Sequence, residues 1–325
     1  MKRIASFILF LNLIILNIYA QNDLETINTG AANFLTITPD ARTAGMGGVG
    51  VALTGNDNTV FYNGASSLSD KYRKGGITYN LTPWMREHKS GYSFHSLGGF
   101  YKINQKNAVI GGFRYLNYPE VEPMGNNKNI HPKEWAADIG YAREVFKGFA
   151  LSATFKYIYS DMGNIGEAKS SGAIAFDIGA LYKREISVMQ DAFWTVGLQL
   201  SNIGSKIKYL DTKESLPSMV KLGGSINLPF NPTHKLIFAT DMGYRLAPSD
   251  AQSFNLSLGA EYILINHFKF RGGYHYGDNK KGDTSYGTLG LGINYYGGHL
   301  DCSWLFANND NILRNTFWTS VGFSF

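Results

Sequence analysis

Apolar and polar residues alternate with a period of two through most of this chain. In residues 194–201, Trp194, Val196, Leu198 and Leu200 interleave with Thr195, Gly197, Gln199 and Ser201, and in 288–295 Leu289, Leu291, Ile293 and Tyr295 interleave with Thr288, Gly290, Gly292 and Asn294. The same phase runs through Leu151, Ala153, Phe155 and Tyr157, and through Phe254, Leu256, Leu258 and Ala260. Successive side chains of a strand point to opposite faces, so each run predicts a strand with one apolar and one polar side. About fourteen runs are legible, over 75–82, 91–103, 107–116, 134–145, 149–160, 171–184, 191–202, 219–228, 234–245, 252–264, 267–277, 284–296, 299–307 and 314–325. The chain is expected to be all-β, and an even number of strands suits a closed antiparallel barrel.

The connections are of two kinds. Tight turns are expected after the second, fourth, tenth and twelfth runs, near Asn104 to Lys106, Phe146 to Gly148, Asn266 and Gly297 to Gly298. Longer polar links follow the first, third, fifth, seventh and eleventh, the largest being 118–133 and 204–218. One end of the barrel is trimmed and the other decorated.

A soluble sandwich or propeller would turn its polar faces to water, and those faces would carry charge. Here they are small, with Gly111, Gly179, Gly243, Gly259, Gly290 and Gly292. In an outer-membrane barrel the apolar face meets lipid, where Lys or Arg near mid-bilayer costs about 2–4 kcal/mol, and charge is confined to the lumen. Arg114, Asp138, Lys156, Asp177, Lys221, Asp241, Glu261, Lys269 and Arg271 all fall in the polar phase. That registration selects the membrane barrel. Tyr101, Tyr157, Tyr159, Tyr182, Tyr262, Tyr276 and Tyr295 stand near run ends, where aromatic girdles belong. The last residues, TSVGFSF, close an in-phase strand on Phe325 and are similar to the recognition signal of outer-membrane barrels.

Composition sharpens this picture. The 325 residues include 37 glycines, 14% aromatic and only 17% charged residues, against about 7% glycine and about 25% charged in an ordinary soluble domain. The opening MKRIASFILFLNLIILNIYA has a basic start, an apolar run from Ile4 to Ile18 and a small residue at Ala20. It reads as a secretory signal peptide over residues 1–20, removed on export, and is short for a membrane span. Without Lys2 and Arg3 the chain holds 28 basic and 25 acidic side chains. That balance is too mild and dispersed for nucleic acid. Cys302 is the only cysteine, which excludes an internal disulfide framework.

Residues 45–50, GMGGVG, carry the glycine spacing of a dinucleotide fingerprint. Such a fingerprint needs a hydrophobic strand before it and a helix after it. Here ITPDARTA precedes and VALTGNDN follows, so no nucleotide is expected. The reading in its place is that residues 21–73 form a plug folded back into the lumen of a barrel spanning 74–325, where small residues let backbone approach the wall.

Residues 34–68, with TPDAR at 38–42, AGMGGVGVA at 44–52 and DNTVFYN at 57–63, followed by TPW at 82–84, resemble the amino-terminal region of the PorV/PorQ family. That family is a branch of the FadL-like fourteen-stranded outer-membrane barrels associated with type IX secretion, and the wording here is closer to PorV. The resemblance marks Asp40, Arg42, Gly45, Gly47, Gly48, Asn63 and Ala65 as the plug motif. One departure is Gly64, where relatives usually carry proline between Asn63 and Ala65. Proline would fix that corner; glycine leaves it freer.

The resemblance implies a non-catalytic barrel whose partners, besides outer-membrane lipid, are the type IX translocon and the carboxy-terminal signal domains of exported cargo. The rival expectation is a FadL-like transporter of hydrophobic small molecules. Partner contacts are expected on the longer links, where Trp84, Met85, Arg86, Tyr118, Met124 and Tyr209 place aromatic or thioether groups beside charge. No enzyme, cofactor or metal is expected: the seven histidines are scattered, no HExxH or GxSxG occurs, and the inward acids are matched by inward cations. The sequence carries no signal for an oligomeric state.

Overall fold

A computed structural model describes residues 29–85, 91–120, 130–161, 170–209 and 212–325. The signal-peptide segment, Arg86 and Met124 lie outside the described residues.

Fourteen strands close into one antiparallel barrel. They are β1 (Gly75–Pro83), β2 (Ser93–Asn104), β3 (Asn107–Asn117), β4 (Lys133–Phe146), β5 (Phe149–Asp161), β6 (Ser171–Glu185), β7 (Phe193–Gly204), β10 (Met219–Asn231), β11 (His234–Arg245), β12 (Phe254–Leu264), β13 (Phe268–Tyr276), β14 (Tyr286–Tyr295), β15 (Gly298–Phe306) and β16 (Phe317–Ser324). Each pairs with its neighbours in chain order, and β1 closes the ring on β16 with Gly76 opposite Ser324 and Leu81 opposite Thr319. The ring leaves no edge unpaired, as a backbone in lipid requires.

Short and long links alternate without exception. Residues 105–106, 147–148, 186–192, 232–233, 265–267 and 296–297 join strands at the end where β1 begins and β16 finishes. The opposite end carries 84–92, 118–132, 162–170, 205–218, 246–253, 277–285 and 307–316. One link departs from the expected polar coil: 205–218 contains a hairpin of β8 (Ile207–Tyr209) and β9 (Thr212–Glu214). Its strands are three residues each, too short to show a period, and Ile207 anchors it in a buried cluster.

All nine charges assigned to the polar phase face the lumen, while Leu151, Phe155, Leu198, Leu289 and Leu291 face outward. The phase is corrected at two points. Gly111 stands on the lipid side and Gly112 on the lumen side, against the Phe61 ring; two adjacent glycines hide their own phase, which Ile110 and Arg114 set. In β7 the alternation breaks at Asn202, whose φ of 58° turns its side chain inward beside Ser201. Asparagine is among the residues that tolerate this region best.

Residues 29–74 enter the barrel. Their only α-helix, α1 (Ala41–Gly45), is followed by 3-10 turns at Thr59–Phe61 and Gly64–Leu68. The lumen is packed by several apolar clusters, each joining this segment to a different arc of the wall. Met46, Val49 and Leu53 meet Ile237 and Ala239, whereas Val60, Phe61 and Tyr62 meet Phe100 and Ile110.

Candidate functional site

The plug is bolted to the wall by buried polar groups. Asp40 caps α1, accepting the Thr43 amide at 3.0 Å and the Tyr62 hydroxyl at 2.6 Å. Burial, and then the neighbouring carboxylate, push the Tyr62 phenol well above its ordinary value, so it remains a donor. From α1 Arg42 reaches across to β12: Nε and Nη2 donate to the Glu261 carboxylate at 3.0 and 2.8 Å, and Nη1 to the Thr54 carbonyl at 2.9 Å. Arg271 donates to the same carboxylate at 2.6 Å and lies 2.7 Å from Asp301. Glu261 is wholly buried, which is tolerable because two guanidiniums compensate it.

The other inward acids are engaged in the same way. Asp241 accepts the Gly50 and Val51 amides of the plug at 2.7 and 3.0 Å. Lys156 lies 2.6 Å from Asp177 and 3.8 Å from Asp138, and Arg114 donates to Asp138 at 3.2 Å and to the plug carbonyl of Leu35 at 3.2 Å. Asn202, turned inward, accepts from Lys156 at 2.8 Å and donates its amide to Asp177 at 2.7 Å. Glu261, Asp138 and Asp177 are held by cations, as the matching of inward signs implied, whereas Asp241 is held by plug amides and, among the described residues, Lys221 enters no ion pair.

The glycine run serves backbone approach. A Cβ on Gly45 would lie 2.6 Å from the Ser303 hydroxyl and 3.1 Å from Gly290 Cα. Gly47 has φ 72° and donates its amide to Thr288 at 3.0 Å, and a Cβ there would lie 2.7 Å from backbone atoms of Tyr274. Gly48 continues at φ 86°. At the proline-less corner, Asn63 caps the 3-10 turn on Ala65 at 3.2 Å and donates to the Val51 and Ala180 carbonyls at 2.9 and 2.8 Å. Hydrogen bonds hold this corner, at which the resemblance would place a proline ring.

At the long-link end, residues from separate links converge. Trp84, Tyr118 and Tyr209 pack on one buried cluster that includes Phe34, Leu35 and Ile37 of the plug. Tyr118 donates to Glu134 at 2.6 Å, Ser160 donates to the other oxygen of Glu134 at 2.8 Å, and Tyr209 donates to Ser160 at 2.7 Å. Two of the candidate aromatics are thus joined through a buried carboxylate that the sequence did not single out. Trp84 meets Trp318 edge to face with ring centres 6.4 Å apart, and the Trp318 indole donates to the Thr38 carbonyl at 2.9 Å.

Between these groups and the plug lies a cavity of ≈ 350 Å³. Phe34, Trp84, Met85, Tyr118 and Trp318 form an apolar side, and Lys221, Arg245, Asn255, Ser257 and His275 a polar one. Tyr209 is not part of its lining. Arg245 was legible as the last in-phase residue of the run 234–245, but the alternation alone gave it no function.

A model of the family described as "Type IX secretion system protein PorV" matches residues 19–252. The chain belongs to the PorV family. No curated protein sequence matches it. Among solved structures, the Ralstonia pickettii toluene transporter TbuX aligns over 88% of this chain and 97% of its own, with 13% identity and a TM-score of 0.56. The Pseudomonas putida toluene transporter TodX aligns over 88% and 97% with 12% identity and a TM-score of 0.58. The monoaromatic hydrocarbon channel CymD aligns over 88% and 96% with 13% identity and a TM-score of 0.53. Such distant likenesses show the fold alone, a closed β-barrel of the kind these transporters and channels share. Family and fold together make this member of the PorV family an outer-membrane barrel of type IX secretion.

Proposed function

We propose that the barrel is a non-catalytic receptor, binding carboxy-terminal signal domains of cargo, the translocon, or both, through its long links. In this reading residues 1–20 are a cleaved signal peptide, residues 21–73 the plug, and the long-link end faces outside the cell, both chain ends of the barrel lying at the other. The observation that carries the reading is the gathering of Trp84, Tyr118 and Tyr209, from three links, on one cluster crowning the plug. A lumen so closely tied by Arg42, Asp241 and Arg114 suits a platform better than an open pore.

The test is affinity capture of the tagged protein from detergent-solubilised outer membranes, with secretion followed in a deletion strain. Recovery of a large barrel or of secreted proteins sharing a carboxy-terminal domain supports the proposal. An unpartnered barrel and undiminished secretion would overturn it. A second reading, transport of a hydrophobic small molecule, draws on the TbuX and TodX fold and on the apolar side of the cavity. It predicts an apolar ligand retained on purification.

A further inference from the structure

Arg245 is only 6% exposed and lines the ≈ 350 Å³ cavity. Among the described residues its guanidinium makes no hydrogen bond or close ion pair, though the Asp283 carboxylate attracts it from a distance, and the Lys221 ammonium likewise feels Asp241 without pairing with it. Lys221 stands opposite Gly243, two residues from Arg245. The two cations are therefore diagonal neighbours on the inner face, about 7–8 Å apart at the backbone, and both long side chains can reach one anion. Asp283, the acid on this wall, is occupied by His275 and Asn255, each at 3.0 Å. Asp283 offsets the Arg245 charge only from a distance while its oxygens serve His275 and Asn255, so an anionic ligand in the cavity would give the guanidinium the direct, charge-assisted hydrogen bonds it lacks.

The facing wall decides what carries the anion. Phe34, Trp84, Leu313 and Trp318 offer apolar surface, while Ser257, Thr284 and Thr38 add hydrogen-bonding groups that an alkyl chain would leave unsatisfied. The space holds the end of a chain, not a folded domain. We propose that this cavity seats the free carboxy-terminus of a partner protein, its α-carboxylate on Arg245 and Lys221 and its last apolar side chains against Trp84, Trp318 and Phe34. The assignment rests on the secretion reading of the long-link end and specifies the chemistry of its ligand.

The experiment is isothermal titration calorimetry on the full chain in detergent, with an acetylated hexapeptide ending in three apolar residues, its carboxy-terminal amide, and dodecanoate as probes. The free acid is expected to bind at least about tenfold more tightly than the amide, as for a lost partner of a buried charge. Arg245→Gln and Lys221→Met should remove that preference, and Arg245→Lys should retain part of it. Equal binding of acid and amide, or an unchanged preference in Arg245→Gln, would overturn the inference. So would Arg245-dependent binding of dodecanoate without binding of the peptide. Capture of a folded signal domain equally well after its carboxy-terminus is extended by several residues sinks this inference and leaves the secretion reading standing. Failure to capture any signal domain or translocon component sinks both.

Discussion

Arg42 and Glu261, 219 residues apart in the chain, meet through two hydrogen bonds of 3.0 and 2.8 Å where the plug touches β12. Arg271 shares the same carboxylate, so the joint has one acid between two cations. Its members are not equivalent.

Glu261→Leu leaves two buried guanidiniums without their shared acid and should cost about 3–5 kcal/mol. Arg42→Met leaves Glu261 paired with Arg271 and should cost less. In the double variant the losses should be less than additive, because both substitutions remove the same contact. Denaturant midpoints of the barrel in detergent check this, and equal losses in the two single variants would contradict the shared-acid arrangement.

Gly47→Ala combines a φ of 72° with a Cβ placed 2.7 Å from Tyr274 backbone. About 1–3 kcal/mol of strain is expected, read as faster proteolysis of the plug. Gly111→Ala, facing lipid with Asp138 O 3.8 Å away as its nearest neighbour, should leave the plug as protected as in the parent.

Leu291 projects into lipid from the middle of β14 and is 60% exposed. Leu291→Arg should cost about 2–4 kcal/mol, whereas Tyr296→Arg in the short turn beyond it should cost about 0–1 kcal/mol. The folded fraction after refolding into vesicles measures the difference. Equal tolerance at both positions would contradict the lipid-facing assignment.

The phenols of Tyr118 and Tyr209 are both raised, first by burial and then by interactions that include the Glu134 carboxylate. Tyr209 is pushed up from 10.0 to about 12. A phenol raised in the folded state contributes its stabilisation fully below the unfolded value and loses it as pH rises through the folded one. The thermal midpoint should therefore hold steady up to about pH 10 and fall between there and about pH 12. Tyr209→Phe should remove part of that fall, and Tyr118→Phe a further part. A midpoint independent of pH across this window would contradict the Tyr118–Glu134–Ser160–Tyr209 linkage.

The barrel was legible because a membrane-spanning strand must sort its residues between lipid and lumen at every second position. Trp194 to Leu200 and Leu289 to Tyr295 announce their strands without any long-range knowledge. The alternation carries no phase where side chains are missing or the period is broken: at Gly111 and Gly112, at Asn202, and in the three-residue strands of the β8–β9 hairpin. At the candidate site, Trp84, Met85 and Tyr118 were legible as aromatic or thioether groups on long links, but nothing local joined them to one another. Arg245 was visible as an in-phase residue and invisible as an unpaired one.

The one-dimensional pattern by itself determined the fold class, the strand phases, the inward charges and the trimmed and decorated ends. These follow from the covalent period of a strand and the cost of charge in lipid, both local properties. Only the tertiary structure decided that Arg42 finds Glu261, that the glycine run nests against β13 and β14, and that Tyr118 reaches Tyr209 through Glu134. Pairings of that kind depend on how barrel closure brings distant strands beside a plug entering from the chain's beginning, and no local period encodes that distance.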